Sequence, residues 1–443
     1  PYFLFPQIYN FRYNIYSSEW PVANRAIELY LQKKSENEGW ERQINGLSNN
    51  EKANLLLEKH TFKELLADVE QRNLQNNIVG LEASRLFARS EINMGVDAFR
   101  DSLYAMLKRN TFLNIKFENM LDTLGEMSRT DLYSYLKEWE QLTPLPFYSI
   151  GEPELTKVVN KGGEEFFVLK VLVSNNSDYD GIIQMNVLQN GWWYQPMEDP
   201  RARKKVEIAA HTSKEFVSVW EEQIRDVEIN TMVSGNLPYM IRQSIGNVKQ
   251  ERNKIVKDTI YTLPESSLEM PGEVIVDNED STLFVLSTPA VVGLLPKWLD
   301  KVEDTSFKYS GISWWREPLQ WTATTNAKYY GKYIRSAYVI KSGDGSQTAT
   351  WKIPVPEAGQ YELYYHVFKD DELRWNDRLQ GEYHFRVAYD SEMEDAYINL
   401  RKANEGWEQL GTYYFSADTV RVVLTDECKL RSVTADAVKI VKR

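Results

Sequence analysis

One cysteine, Cys428, stands in 443 residues, so no disulfide can form within the chain and no cysteine-rich metal site can be built. It lies between Asp426-Glu427 and Lys429 near the end of a strand-like run and reads as a packing thiol, not a nucleophile. Histidine is almost as scarce, with only His60, His211, His366 and His384. None is followed by glutamate and no two stand four apart, so the chain lacks the helical His-Glu-x-x-His that sets two imidazoles and a water-activating carboxylate around zinc. No catalytic residue and no metal ligand is therefore assigned, and no cofactor is expected in this chain. No run of about 20 apolar residues occurs, which leaves no candidate for a membrane-spanning helix. Net charge is −12, and acids and bases are interspersed. Without a basic stripe to neutralise phosphates, nucleic acid is excluded as a partner.

What is present is length and patterning. At about 150 residues per domain the chain suggests roughly three domains. Ser48-Asn49-Asn50-Glu51 and Thr61 place capping residues ahead of apolar residues at helical spacing. Phe99, Leu103, Met106 and Leu107 line one helix face, and Phe117, Met120, Leu121 and Leu124 the next. Thr143-Pro144-Leu145-Pro146 ends this helical part, because proline cannot continue a helix. The period then changes to two. Glu164 to Ser174, Gly181 to Leu188, Lys204 to Ile208, Lys214 to Trp220 and Asp226 to Met232 read as short strands, a pattern that suggests an immunoglobulin-like sandwich. Gly246 to Ser267 is polar, and Asn247 to Lys257 reads as a linker or a short exposed helix. From Glu273 the chain is strand-rich again, with Gln360 to Lys369 alternating and Thr419 to Leu424 and Ala435 to Val441 closing a second sandwich. The expected fold is multidomain α + β: a helical domain over 1–146, an Ig-like sandwich over 147–245, a linker over 246–272, and a C-terminal sandwich over 273–443.

Aromatic residues are abundant, with 26 Tyr and 13 Trp, and their amphipathic rings serve either as core or as surfaces on which sugars stack. Trp314, Trp315, Trp321, Tyr329 and Tyr330 gather in a loop-rich stretch and are the candidate ligand-binding residues, with Tyr333 beside them; packing is the competing use of the same rings. Trp351 and Trp407 lie inside strand-like runs and are expected in the core. Asp277-Asn278-Glu279-Asp280 is oxygen-rich but lacks the spacing and glycine of an EF-hand, so a turn with capping carboxylates is expected. Asp436 reads as a structural acid, and the pairs Asp370-Asp371 and Glu221-Glu222 as solvated surface, not as glycosidase carboxylates. The opening residues Tyr2, Phe3, Phe5, Tyr9, Phe11, Tyr13 and Tyr16 would be a liability unless covered, and contact with an upstream domain or another chain is expected. With no initiator methionine the chain reads as a mature or trimmed product.

Two family resemblances follow from particular motifs. Asp97-Ala98-Phe99-Arg100-Asp101-Ser102-Leu103, Lys108-Arg109-Asn110-Thr111-Phe112, and Trp139 with Leu145-Pro146 resemble the post-catalytic helices of gluzincin aminopeptidases of the aminopeptidase N type. The bacterial branch fused to an ABC-type permease is the nearest in flavour. Val227-Glu228-Ile229-Asn230-Thr231 and Ser234-Gly235-Asn236-Leu237-Pro238 resemble the end of the sandwich that follows in that branch, so the likeness runs from about residue 75 to 245. In that family a Tyr-x-x-Gly element supplies a phenol to the tetrahedral intermediate. Asn77-Ile78-Val79-Gly80 puts an amide there, or else Asn77 is simply a helix-start residue. Val276-Asp277-Asn278-Glu279-Asp280, Tyr329-Tyr330-Gly331, Ala349-Thr350-Trp351, Pro356-Glu357-Ala358-Gly359-Gln360-Tyr361-Glu362, Gly406-Trp407-Glu408-Gln409-Leu410-Gly411 and Ala435-Asp436-Ala437-Val438 resemble the golvesin or xanthan-lyase C-terminal domain. That resemblance implies a golvesin-type β-sandwich akin to carbohydrate-binding modules, attached to secreted or surface enzymes, often of Bacteroidetes-like bacteria.

Together these features predict a non-catalytic accessory or scaffold portion of an exported, peptidase-like bacterial protein. It would bind an envelope protein partner or a glycan in the periplasm, at the outer membrane or at the cell surface. The alternatives are the C-terminal part of an active zinc aminopeptidase whose metal site lies upstream of residue 1, and a purely structural envelope subunit.

Overall fold

A computed structural model describes residues 13–32, 38–188, 199–252, 256–266, 268, 272–287, 307–312, 317–369 and 381–443. The chain forms two compact units, Pro1–Glu36 with Asn49–Ser267, and Asn37–Ser48 with Leu268–Arg443.

The first unit begins with helices arranged about Gln75–Met94. This helix buries Ile78, Val79, Leu81, Ala83, Leu86, Phe87 and Ala88, and it packs on Ala23–Leu31, Asn49–Leu57, Val96–Arg109 and Phe117–Ser128. Phe99, Leu103, Phe117, Met120, Leu121 and Leu124 are buried, as the helical spacing predicts. Thr61 and Glu64 form a reciprocal capping box at the start of Phe62–Ala67. Trp139 is buried against Trp20, Phe62 and Phe117 in edge and stacked contacts, the favoured arrangements of aromatic rings. Asn77, in the first turn of Gln75–Met94, donates to Asn50 Oδ1 at 2.9 Å, and Asn50 in turn reaches the Tyr239 hydroxyl at 3.1 Å.

The chain then builds a mostly antiparallel sandwich. One sheet has the order Met240–Ser244, Asp226–Asn230, Gly181–Leu188, Arg203–Ile208. The other runs Val248–Arg252, Glu154–Val159, Glu165–Asn175, Thr212–Trp220, Thr259–Pro264, with Tyr148–Ile150 also paired to Glu165–Asn175. Leu169, Val171, Val173, Ile183, Met185, Val187, Phe216 and Val227 fill the space between the sheets. Gly181 is required where the sheet meets the Pro-rich turn, because a Cβ there would lie 1.9 Å from the Tyr148 hydroxyl and 2.6 Å from Pro146.

The linker expected over 246–272 is corrected here. Val248–Arg252 pairs in parallel with Glu154–Val159, and Thr259–Pro264 pairs antiparallel with Thr212–Trp220, so the polar stretch supplies both outer strands of one sheet. Four of the five residues of Val248–Arg252 face solvent, which is why neither apolar alternation nor aromatics mark it as a strand.

The second unit is a β-sandwich. Its four-stranded sheet has the order Glu273–Val276, Val438–Lys442, Gly359–Val367, Gly406–Phe415, and its five-stranded sheet Phe284–Leu286, Thr348–Pro354, Thr419–Thr425, Glu382–Tyr389, Glu392–Asn399. A three-stranded sheet, Thr322–Thr325, Ser336–Lys341 and Ser432–Ala435, lies alongside. Trp351, Leu363, Tyr365, Phe385, Phe415 and Val422 are at the centre of the core. The helix Glu38–Asn45 belongs to this unit through Gly46, whose carbonyl accepts from the Thr325 hydroxyl at 2.9 Å. Cys428 packs against the same core, and burial pushes its thiol pKa up, the opposite of what a nucleophile needs. Among the described residues no helix is long and apolar enough to cross a membrane, and no group of three or more metal-binding side chains occurs.

Candidate ligand site on the outer face of the second sandwich

The site grows out of a period of two. Along Gly359–Val367 the residues Tyr361, Leu363, Tyr365 and Val367 point into the core, so Glu362, Tyr364 and His366 take the other face. Register then chooses their neighbours. His366 lies opposite Trp407 on Gly406–Phe415, and Tyr364 lies opposite Lys439 on Val438–Lys442.

A turn brings in the third ring. Asn326 accepts the Tyr329 N–H on its carbonyl and the Lys328 N–H on its side chain, at 3.1 and 3.0 Å, and Arg335 ties the other end to the Ala327 carbonyl. Gly331 has φ +154°, and a Cβ there would fall 1.8 Å from the Ile334 carbonyl oxygen, so only glycine closes this turn. Tyr330, His366 and Trp407 then stand in mutual contact, with centroid separations of 5.8 Å (Tyr330–His366), 5.0 Å (Tyr330–Trp407) and 5.1 Å (His366–Trp407). All three rings are half-buried.

Asp436 pins this arrangement from beneath. Its side chain is fully buried, its Oδ2 lies 2.9 Å from His366 Nδ1, and both carboxylate oxygens accept the Tyr330 N–H at 3.2 Å. The backbone around it is held too: the Trp351 indole donates to the Asp436 carbonyl at 3.1 Å, and the His366 N–H donates to the Ala437 carbonyl at 2.9 Å. Burial pushes the Asp436 pKa up, and the neighbouring His366 opposes that rise.

Lys439 completes the surface. Its ammonium sits 4.9 Å from the Trp407 ring centre and 5.4 Å from that of Tyr364, within cation–π range, while pairing with Glu273 at 2.8 Å. Lys328 and Glu405 pair at 3.6 Å. Lys439 and Lys328 are thus each matched by a carboxylate, which suits an uncharged ligand.

The residues singled out from sequence fall in different places. Tyr330 joins the cluster. Tyr329 is 4% exposed, its ring 4.7 Å from that of Phe368. Trp321 packs half-buried against the sandwich core, and its indole Nε1 is buried without a hydrogen-bond partner among the described residues. Trp314, Trp315 and Asp370-Asp371 lie outside the described residues, as do Tyr2, Phe3, Phe5, Tyr9 and Phe11 of the aromatic N-terminus, whereas Tyr13 is half-buried and Tyr16 exposed. Trp351 is core as expected. Trp407 is a correction: it lies on the outward phase of the outermost strand of its sheet and is half-buried. Asp277 to Asp280 form a turn in which the Asp280 carboxylate caps the Asp277 N–H at 2.9 Å, and Glu279 accepts from Tyr309 at 3.0 Å. Glu221 and Glu222 are exposed surface. The sequence points to neither His366 nor Lys439 as site residues, and to Asp436 only as a structural acid and Trp407 only as core. The one available signal was the alternation of Gln360 to Lys369, which puts His366 out of phase with the apolar Leu363 and Val367.

No curated protein matches the chain. Among solved structures, Legionella pneumophila aminopeptidase A in complex with aspartic acid is similar at 16% identity, with 37% of this chain and 18% of that chain covered and a TM-score of 0.20. A Bacteroides uniformis β-glucuronidase 2 is similar at 11% identity, with 70% and 31% covered and a TM-score of 0.19. The chain thus spans a fifth to a third of the length of these proteins. Residues 315–442 match the Golvesin C-terminal domain, and this segment contains Tyr330, Tyr364, His366, Trp407, Asp436 and Lys439.

Proposed function

We propose that the chain is a non-catalytic accessory portion of an exported, peptidase-like protein, and that its Golvesin-type sandwich binds glycan at the cell envelope. The observation that carries this reading is the ring cluster Tyr330–His366–Trp407, set on the outer face of a sheet and fixed by the buried Asp436. Flat half-buried rings offer apolar faces to the C–H faces of a pyranose, and the polar groups beside them serve its hydroxyls. One stacked sugar contributes roughly 0.5–1.5 kcal/mol beyond area burial. Useful affinity therefore comes from a polymer that engages many copies or several sugars together.

The test is retention of the whole chain on immobilised polysaccharides, including cell-wall and capsular material. Trp407→Ala is expected to weaken retention roughly fivefold or more, equivalent to about 1 kcal/mol, with little change in thermal unfolding because the ring is only half-buried. The sequence-derived pair Trp314 and Trp315 belongs to the same proposal, and the double alanine variant is expected to weaken retention on the same polymer. Unchanged retention in both variants, or no retention of the parent chain, would sink the reading. Zinc enters this proposal only through a catalytic part outside the chain; metal analysis of the purified protein and a fluorogenic aminoacyl-substrate screen should both be blank.

A further inference from the structure

We infer that His366 reads a sugar hydroxyl in this site, its Nε2 accepting the hydroxyl proton of a neutral pyranose stacked on Trp407 and Tyr330, with Asp436 as the positioning residue behind it. The inference rests on the glycan reading and specifies its polar contact. A neutral imidazole has one donor and one acceptor nitrogen, and the bond made by one nitrogen sets the role of the other. Nδ1 is committed to Asp436 Oδ2 at 2.9 Å. A buried carboxylate is an acceptor, so the ring proton sits on Nδ1 and the in-plane lone pair on Nε2. Asp436 cannot easily turn away, because both its oxygens also accept the Tyr330 N–H at 3.2 Å.

Nε2 has no hydrogen-bond partner among the described residues. The side chain keeps 13% of its surface exposed, in contact with the Tyr330 and Trp407 rings. An acceptor of fixed direction beside two stacking surfaces matches the two things a sugar offers, an apolar face and a hydroxyl at its edge. The ligand class follows from charge. Lys439 is taken by Glu273 and Lys328 is paired with Glu405, so neither of these two lysines is left free for a uronate or phosphate.

The obvious alanine variant would leave the buried Asp436 without its imidazole donor, so the test uses amides. His366→Asn keeps a donor near the Nδ1 position for Asp436 and removes the outward nitrogen; His366→Gln reaches the Nε2 position. The probes are immobilised glucan, mannan and xylan, their per-O-methylated forms, and a polyuronate. His366→Asn is expected to lose about tenfold in retention on the preferred neutral polymer and His366→Gln no more than about threefold. Per-O-methylation should erase the parent's advantage over His366→Asn. Long-range ¹H–¹⁵N spectra should show His366 as the Nδ1–H tautomer in the parent. In Asp436→Asn, whose amide donates to Nδ1, the proton should move to Nε2 and retention should fall. Retention of His366→Asn at the parent level, while Trp407→Ala is lost, overturns the role of His366 and leaves the glycan reading standing. Equal loss in the Asn and Gln variants, or an Nε2–H tautomer in the parent, also overturns it. Preference for the polyuronate overturns the ligand class, and retention by none of the polymers overturns both readings.

Discussion

Replacing Lys205 by alanine is expected to cost about 3 kcal/mol of the stability of the first unit, the low end of the penalty for removing one partner of a buried ion pair. Lys205 lies on Arg203–Ile208 with its side chain 7% exposed, and it hydrogen-bonds Glu91 of Gln75–Met94, whose side chain is 0% exposed. The bond joins the central helix to the sandwich. Glu91 keeps two weaker partners: the Tyr30 hydroxyl donates to it at 2.7 Å, and Arg100 pairs with it at a longer 3.8 Å through an Nε that makes no hydrogen bond among the described residues. Burial and the Glu91 carboxylate both push the Tyr30 pKa up, so the phenol stays a neutral donor and cannot replace the lost cation. The control is two residues away. Arg89 binds Glu207 of the same strand through Nε and Nη2 at 3.1 and 2.9 Å, but the two side chains are 23% and 40% exposed. Arg89→Ala is therefore expected to cost only about 0–1 kcal/mol. Urea unfolding of both variants, read on the transition that carries the helical signal, checks the contrast. A loss below about 1 kcal/mol for Lys205→Ala would show the pair to be solvated in solution. Replacing Glu91 and Lys205 together by Leu and Met should recover most of the loss, since the stranded charge is then gone.

Glu91 also marks where the sequence stops being legible. An acid in a polar-looking helix gives no sign of burial, because the cation that compensates it lies 114 residues away on a strand. Elements whose own residues carry the signal were readable. Gly181 to Leu188 is found as expected, and Glu164 to Ser174 is shifted by a single residue to Glu165–Asn175, since apolar side chains enter the core along the strand. Val248–Arg252 and Thr259–Pro264 were not readable, because they are held by backbone bonds to strands already in place and present mostly polar residues to water. The same logic governs the site. Tyr330 sits in a recognisable aromatic turn, and Trp351 follows its strand into the core. Trp407 belongs to an equally strand-like run but takes the outward phase, opposite His366. That pairing, and the approach of Asp436, arise from register between strands distant in sequence, which no local pattern encodes.

The other large effect is expected at Trp351, which links the core of the second sandwich to the candidate ligand site above it. Its side chain is 0% exposed and contacts Phe284 at 5.3 Å and Tyr365 at 6.1 Å between ring centres. Trp351→Ala removes the largest side chain of this core and is expected to cost about 3–5 kcal/mol. About 1 kcal/mol more goes with the Asp436 carbonyl, which loses the indole N–H at 3.1 Å. For a unit of this size that lowers the thermal transition of the second sandwich by roughly 10 °C or more. Calorimetry of the whole chain is the measurement, because the two compact units need not melt together. Trp351→Phe separates the two contributions: it keeps most of the packing, loses the N–H, and is expected to fall between the parent and the alanine variant. The consequence for binding comes through Asp436, whose carbonyl is held from inside by Trp351 while its carboxylate holds His366 on the outer face. At temperatures where Trp351→Phe is still folded, it is expected to bind glycan more weakly than the parent although no ring of the site has been touched. Full retention in that variant, alongside a lowered melting transition, would show that the core and the site are energetically independent.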